Sequence, residues 1–398
     1  MRGQFQGEKE PVVASCVFET RYQRRLPGPG IVFRTYKQIQ GVLTVSVKVM
    51  VYDLLKKGGD PMNINELKKR FPNENACRRF FESVSWADGR KCPHCHCQKS
   101  YLLKSASVKP GTYECSRCKR QFTVTTKTPL HSTKLSFWTW LQAIYYIINS
   151  SKGVSSVILS RWIGVSQPTA WKIGHAIRQM MIPTPEGLSL TGTVELDEKY
   201  FGGKPRYQPG VVHKRGRGTS KQWVLIAVER QGSVRAQPVE NDKIVTLLPI
   251  VNQNVKQEAH LMTDQHHSFR HIANGYAGHS TVNHLSKQYV DGDTHTNTAE
   301  SFGALLERAK LGVFHYMSSE HLSRYLNEIG FRWDHRIPEV KITKNGKKKK
   351  YMKPIPFMVR LRSLLSRCVG RQVRRTKNFG IISSDNPNFE SKQPCYCL

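Results

Sequence analysis

Acidic side chains are scarce in this chain. Aspartate and glutamate together number 29, against 62 lysines and arginines, for a formal net charge of +33 over 398 residues. That imbalance disfavours a basic partner and favours a polyanion, because cationic side chains release the counterions condensed on a phosphate backbone. Long apolar runs are also missing. The most apolar stretch, FWTWLQAIYYII, falls short of the roughly 18 residues that suggest a membrane span, and its aromatics read as a buried helix. The start of the chain lacks the apolar segment of a secretory signal, and no internal repeat is visible. These absences leave a nucleic-acid backbone as the expected partner, with no membrane attachment. The expected setting is the cytoplasm, in association with the nucleoid, or the nucleus of a eukaryotic host.

Cysteine is present in a pattern. Cys92 and Cys95 form one C-x-x-C pair and Cys115 and Cys118 a second, with nineteen residues between them. This spacing suits two knuckles sharing one tetrahedral zinc ion. Four thiolates close the coordination shell, so the Zn2+ is expected to be structural. His94, His96 and Cys97 are rival ligands, ranked lower because only Cys92 and Cys95 mirror the downstream pair.

The chain divides by composition. Residues 1–61, with LPGPG and an alternating strand-like run, look foreign to the rest, and Met62 is expected to be the natural start. Residues 62–90 read as a helical lead-in, 91–130 as a zinc ribbon and 131–183 as helical. A Pro/Gly-bearing linker leads to an α/β block over 192–336, and 337–398 is a basic, partly disordered tail. Within 155–181 the pattern predicts helix, turn, helix. Val157, Ile158 and Trp162 are the expected apolar face of the first helix, and Gly164-Val165-Ser166 the turn. Gln167, Thr169, Lys172 and Arg178 are the expected major-groove side of the second helix.

TVELDEKYF alternates as a half-buried strand, which puts Glu195 and Asp197 on one face. EAHLMTD is a further strand ending on Asp264. NTAESFGALLERAK has helical spacing, with Asn297 as candidate N-cap and Glu300 in the first turn. Three carboxylates on separate elements can hold two divalent ions for in-line phosphoryl transfer. Oxygen ligands favour Mg2+ or Mn2+. Composition does not separate Asp197 from Glu195 or Glu198, nor Glu300 from Asp291, Asp293 or Glu307. Histidines 266, 267, 271, 279, 284 and 295 surround these acids, but without a helical zinc spacing. Lys204, Arg206, Lys214, Arg215 and Arg217 form a basic loop after the first strand that is expected to track phosphates. The lysine run 347–350 reads as a nonspecific electrostatic arm or a nuclear localisation signal.

Taken together, CPHC…YECSRCKRQFT, GTVELDEKYFGGK, TDQHHSF and HTNTAESFGALLERAKLGVFHYMSSEHLSRYLNEIGFRWDHR resemble the insertion-sequence DDE transposases with an N-terminal zinc ribbon, the ISXO-like group. The resemblance covers residues 62–336. It implies an RNase H-like α/β catalytic domain with Asp197, Asp264 and Glu300 as the metal-binding triad. It also implies cleavage of transposon ends, strand transfer to target DNA, and a homo-oligomer. The alternatives are a zinc-ribbon DNA-binding regulator derived from a transposase, or a nuclease without strand transfer. Two positions depart from the family pattern. Gly303 stands where a tryptophan is usual. Glu307 stands where a basic residue is usual, with Arg308 and Lys310 nearby as the expected DNA contacts.

Overall fold

The computed structural model describes residues 62–184, 189–202, 209, 210, 212, 221–282, 294–343, 345–375 and 381–383. The N-terminal extension 1–61, the basic-loop residues Lys204, Arg206, Lys214, Arg215 and Arg217, the histidine at 284 and the end of the tail lie outside the described residues.

Two short helices open the fold. In α1 (Ile64–Arg70), Asn63 and Glu66 form a reciprocal capping box, and in α2 (Glu74–Ser85) Asn73 caps the N-terminus. A three-stranded antiparallel ribbon follows, with β1 (Ser100–Leu102), β2 (Tyr113–Cys115) and β3 (Gln121–Phe122) in that spatial order. The apolar stretch noted in the sequence becomes α3 (Phe137–Asn149), with Leu141, Ala143, Ile144 and Ile147 fully buried.

Next come α4 (Ser156–Ile163) and α5 (Gln167–Met180), joined at Gly164, which adopts the left-handed conformation (φ 67°) that favours glycine. The inward face of α4 differs from the expected one. Leu159 and Ile163 are buried, whereas Val157, Ile158 and Trp162 are exposed. In so short a helix, the apolar residues outnumber the positions that one packed face can cover.

A five-stranded mixed sheet forms the second body. Its strands are β4 (Thr193–Phe201), β5 (Gln222–Glu229), β6 (Val234–Val239), β7 (His260–Asp264) and β8 (Gly278–Val282), in spatial order β6-β5-β4-β7-β8. β4, β5 and β6 pair antiparallel, while β7 and β8 run parallel to β4. The β5–β6 hairpin turns at Gln231 (φ 59°) and Gly232. Helices α6 (Ile244–Asn254) and α7 (His267–Ala273) cover one face through Leu247, Val251, Phe269 and Ile272. Helices α8 (Asn297–Ala309) and α9 (Ser319–Asp334) cover the other through Phe302, Leu306, Leu322 and Leu326. One π-helical turn, Lys310–Phe314, links the latter two.

Beyond residue 336 the structure corrects the expected tail. β9 (Arg336–Ile342) and β10 (Lys348–Pro354) pair as a ribbon. Helix α10 (Phe357–Ser366) then packs Phe357, Met358, Leu361, Leu364 and Leu365 into the core of the N-terminal helical body. The net charge of this region hides an amphipathic helix. Its buried Arg360 donates through Nη1 to Ile148 O (2.9 Å) and through Nη2 to Asn149 Oδ1 (2.7 Å), joining α10 to the end of α3.

Candidate active site

Alternation on β4 decides what the site contains. Val194 and Leu196 point into the α6/α7 layer with Leu225, Ala227 and Leu261. Glu195, Asp197 and Lys199 therefore point to the opposite face, where their β5 partners Val228, Ile226 and Val224 meet α8. The parallel pairing of β4 with β7 runs from Thr193↔His260 to Glu195↔Met262. Carried two residues further, that register sets Asp197 beside Asp264 at the end of β7. Helix α8 lies across this face with Glu300 in its first turn; its N-cap is Thr296, one residue before the expected Asn297.

The three acids sense one another. The Asp197 carboxyl is pushed up to about 7, first by burial, then by the negative charges of Asp264 and Glu300, with Lys199 opposing the shift. Asp264 Oδ1 accepts the His266 N–H at 3.0 Å, and Thr296 Oγ1 donates to Glu300 Oε1 at 3.4 Å. Oxygen donors whose mutual repulsion drives one of them toward protonation fit a divalent cation, which would relieve that repulsion. The carboxylates do not all approach within 4.8 Å of one another. Among the described residues, only the cysteine quartet is a group of potential metal ligands that meets that measure.

Glu195, two residues before Asp197, is fully buried and surrounded by donors. It accepts from Arg230 Nε (2.7 Å), the Thr298 N–H (2.7 Å), Thr298 Oγ1 (2.9 Å) and the Ala299 N–H (3.0 Å). His295 Nδ1 lies 3.3 Å from the same carboxylate, and Arg230 Nη2 reaches His295 O at 2.9 Å. Glu195 thus satisfies the open N–H groups at the start of α8, the helix that carries Glu300. The alternating pattern puts Glu195 and Asp197 on one face, but it does not reveal which of them is a clamp.

The cysteine knuckles are near copies. The His96 N–H bonds Cys92 O (2.9 Å) as the Lys119 N–H bonds Cys115 O (3.1 Å), and His96 and Lys119 share the left-handed conformation at φ 59° and 56°. The Cys92 N–H donates to Cys97 O and the Cys115 N–H to Arg120 O, which makes Cys97 the counterpart of an arginine. Sulfur separations of 3.7 Å (Cys92–Cys118) and 3.5 Å (Cys95–Cys115) approach the about 3.8 Å edge of a tetrahedron built on 2.3 Å Zn–S bonds. N–H groups of Cys118 and Arg117 aimed at the Cys115 sulfur help to draw its thiol down to about 6. The four thiols fit a zinc ion by composition and spacing. The histidines expected as rivals join no such group among the described residues.

A model of the ISXO2-like transposase domain matches residues 189–334, the sheet with its covering helices, and a model of the transposase zinc-ribbon domain matches residues 72–121. The chain is also 27% identical over 280 residues to an uncharacterized protein in transposable element ISH50 of Halobacterium salinarum, an alignment covering 66% of this chain and 92% of that protein. The chain thus carries an ISXO2-like transposase domain behind a transposase zinc ribbon. The zinc-ribbon match begins before α2, and Trp86 at the end of that helix packs edge-on against Tyr113 and Phe122 of the ribbon (5.4 and 6.3 Å). Trp86 therefore ties the ribbon to the end of the lead-in helix, whose other apolar residues pack into the helical body.

The expected DNA-facing residues divide into two groups. Gln167 and Lys172 are exposed and Thr169 is half-buried at the start of α5, and Arg308 is exposed on α8. Arg178 is not on that surface. It is buried, with Nε 2.6 Å from Glu328 Oε2 and its guanidinium 4.4 Å from the Tyr325 ring centroid. It joins the helical body to α9, and with Arg332 it holds the Glu328 carboxyl below its usual range against the opposing effect of burial. Lys310 is likewise turned inward, donating to Gly202 O at 2.6 Å. Glu307 lies 3.7 Å from Lys310 Nζ, so the acid at this position has a basic neighbour. A Cβ at Gly303 would sit 3.2 Å from Lys199 Cδ and 3.3 Å from its Nζ, so the lysine occupies the space a larger residue would need.

Among the histidines, His266 Nε2 lies 3.3 Å from Asp242 Oδ2, and His279 Nε2 lies 2.9 Å from Thr263 Oγ1. Among the described residues, no helix is long and apolar enough to cross a membrane.

Proposed function

We propose that this chain is a DDE transposase whose RNase H-like catalytic domain cuts transposon ends and joins them to target DNA, acting as a homo-oligomer. The observation that carries the reading is the convergence of Asp197, Asp264 and Glu300 from two adjacent strands and a crossing helix onto one side of the sheet. The strand order, with an antiparallel trio continued by two strands parallel to the first, supports the RNase H-like assignment. Mg2+ or Mn2+ held by these carboxylates would supply activation of water and of the 3′-hydroxyl, and charge stabilisation at the scissile phosphate.

The protein's own contribution is placement. Glu195 fixes the first turn of α8 on β4 and so sets Glu300 against Asp197. Lys199 offsets part of the acidic field. Gln167, Thr169 and Lys172 at the exposed start of α5 stand where a recognition helix meets a major groove, and Arg308 adds a phosphate contact. The zinc ribbon presents further exposed basic side chains, Lys99, Lys104, Lys119 and Arg120 among them.

A pre-cut transposon-end duplex incubated with supercoiled target and Mg2+ tests the proposal. Joined product is expected. Hydrolysis without joining would reduce the protein to a nuclease, and binding alone would make it a regulator.

The clamp has its own test. Glu195→Gln keeps the shape but weakens the charge-assisted bonds, and the cleavage rate is expected to fall about 10–100-fold, as for other groups that orient metal ligands. Duplex affinity should stay constant, and Glu195→Asp should recover part of the rate. An unchanged rate for Glu195→Gln would show that Glu195 serves folding alone.

A further inference from the structure

The β9–β10 ribbon stands out among the described residues for its exposure. Every residue of β10 is exposed. Seven residues per strand give it a length of about 23 Å. Its register pairs Lys348 with Ile342, Lys349 with Lys341, and Lys350 with Val340. Residues opposed across an antiparallel pair share a face, so Lys341 and Lys349 lie on one side, and Lys348 and Lys350 on the other. Glu339 is the ribbon's acid. It is engaged by the Tyr351 hydroxyl and by Lys353 Nζ (3.1 Å), so it does not offset the lysines nearer the tip. At the base, the Arg336 guanidinium stacks 3.9 Å from the Trp333 ring at the end of α9, anchoring the ribbon to the catalytic body.

We infer that this ribbon is a DNA-gripping arm that lies along a groove of duplex DNA outside the active site and contacts phosphates without reading sequence. The inference rests on the transposase reading above and adds a binding element to it. Three features favour duplex DNA as the occupant. The major groove, about 12 Å wide, admits a two-stranded ribbon. Lysines on both faces can reach the phosphate walls on either side of such a groove. Docking a second copy would oppose two lysine-rich ribbons, and lysines on an edge strand discourage strand pairing. The exposed Val340 and Ile342 beside the lysines offer apolar contact with sugar and base edges without hydrogen-bond specificity.

The test compares the wild-type protein with Lys341→Gln/Lys348→Gln/Lys349→Gln/Lys350→Gln. Affinity for a transposon-end duplex and for an unrelated duplex is measured by fluorescence anisotropy across a salt series. Four lost phosphate contacts should reduce the slope of log affinity against log salt by about 3 to 4, equally for both duplexes. An unchanged slope would overturn the inference. So would a loss confined to the transposon-end duplex, which would make the arm a sequence reader. A drop in oligomeric state with an unchanged slope would identify the ribbon as a contact between copies and would also overturn it. If the wild-type protein itself fails to bind either duplex, the transposase reading fails first; if it binds and the variant binds alike, only the arm fails. Matching circular dichroism and melting curves confirm that the variant is folded, as its exposed sites lead one to expect.

Discussion

Asp264→Asn is expected to abolish cleavage and strand transfer, by on the order of a thousandfold or more, while duplex affinity holds or rises slightly. The substitution is nearly isosteric and leaves an oxygen to accept the His266 N–H. What it removes is a negative charge beside Asp197. The lost charge weakens metal binding directly. It also lessens the repulsion that raises the Asp197 carboxyl, so that group should titrate lower in the variant.

Stability provides a second readout. In the metal-free wild type, the native fold holds the Asp197 proton more tightly than the unfolded chain, about 7 against 3.8. Its contribution to stability is therefore present at low pH and declines as pH rises from about 4 toward about 7. Melting curves of the Asn variant should show a shallower decline and a smaller rise on adding Mg2+. Wild-type cleavage by Asp264→Asn would end the metal-site assignment, whatever the melting curves show.

Cys115→Ser is expected to eliminate bound zinc and unfold the ribbon. Metal binding in structural zinc sites contributes roughly 10–16 kcal/mol, comparable to or larger than the whole stability of an ordinary domain. The ribbon's own core is small: Cys92, Tyr113, Cys115 and Phe122, with Trp86 packed against it. Without the metal, little remains to hold three strands of two or three residues. The helical body has a separate and larger core and should persist. Hydrogen exchange should therefore quicken over the ribbon and change little elsewhere, and zinc content should fall from one equivalent to none. Cys97→Ser is the control. The Cys97 sulfur sits 3.7 Å from Lys99 O and 3.6 Å from Ser116 Oγ, outside the quartet, so zinc content should not change. Loss of zinc in Cys97→Ser, or its retention in Cys115→Ser, would reassign the ligands.

Local pattern carried much of this structure. The alternation of TVELDEKYF became β4 with the expected ends, and Asp264 closes β7 as expected. The mirrored cysteine pairs predicted two matching knuckles because the spacing itself dictates the turn. What the sequence concealed were relations between distant residues. Arg178 reads as a surface cation until Glu328, 150 residues later, is seen to bury it. Glu195 and Asp197 are indistinguishable by period, and only the approach of α8 makes one a clamp. The helix at Phe357–Ser366 was masked by the lysine-rich segment before it, since a charge average weighs Arg360 and Arg362 without asking which way each points.

That last helix ties the chain's late residues to its early ones. The N-terminal helical body cannot complete its interior until Phe357, Leu361 and Leu364 have been synthesised and docked beside α2 and α3. By then the whole catalytic sheet has left the ribosome. A product truncated before residue 357 would carry all three acids yet leave a greasy cleft open in the N-terminal helical body. Full-length translation is thus written into the architecture as a condition for a finished N-terminal half.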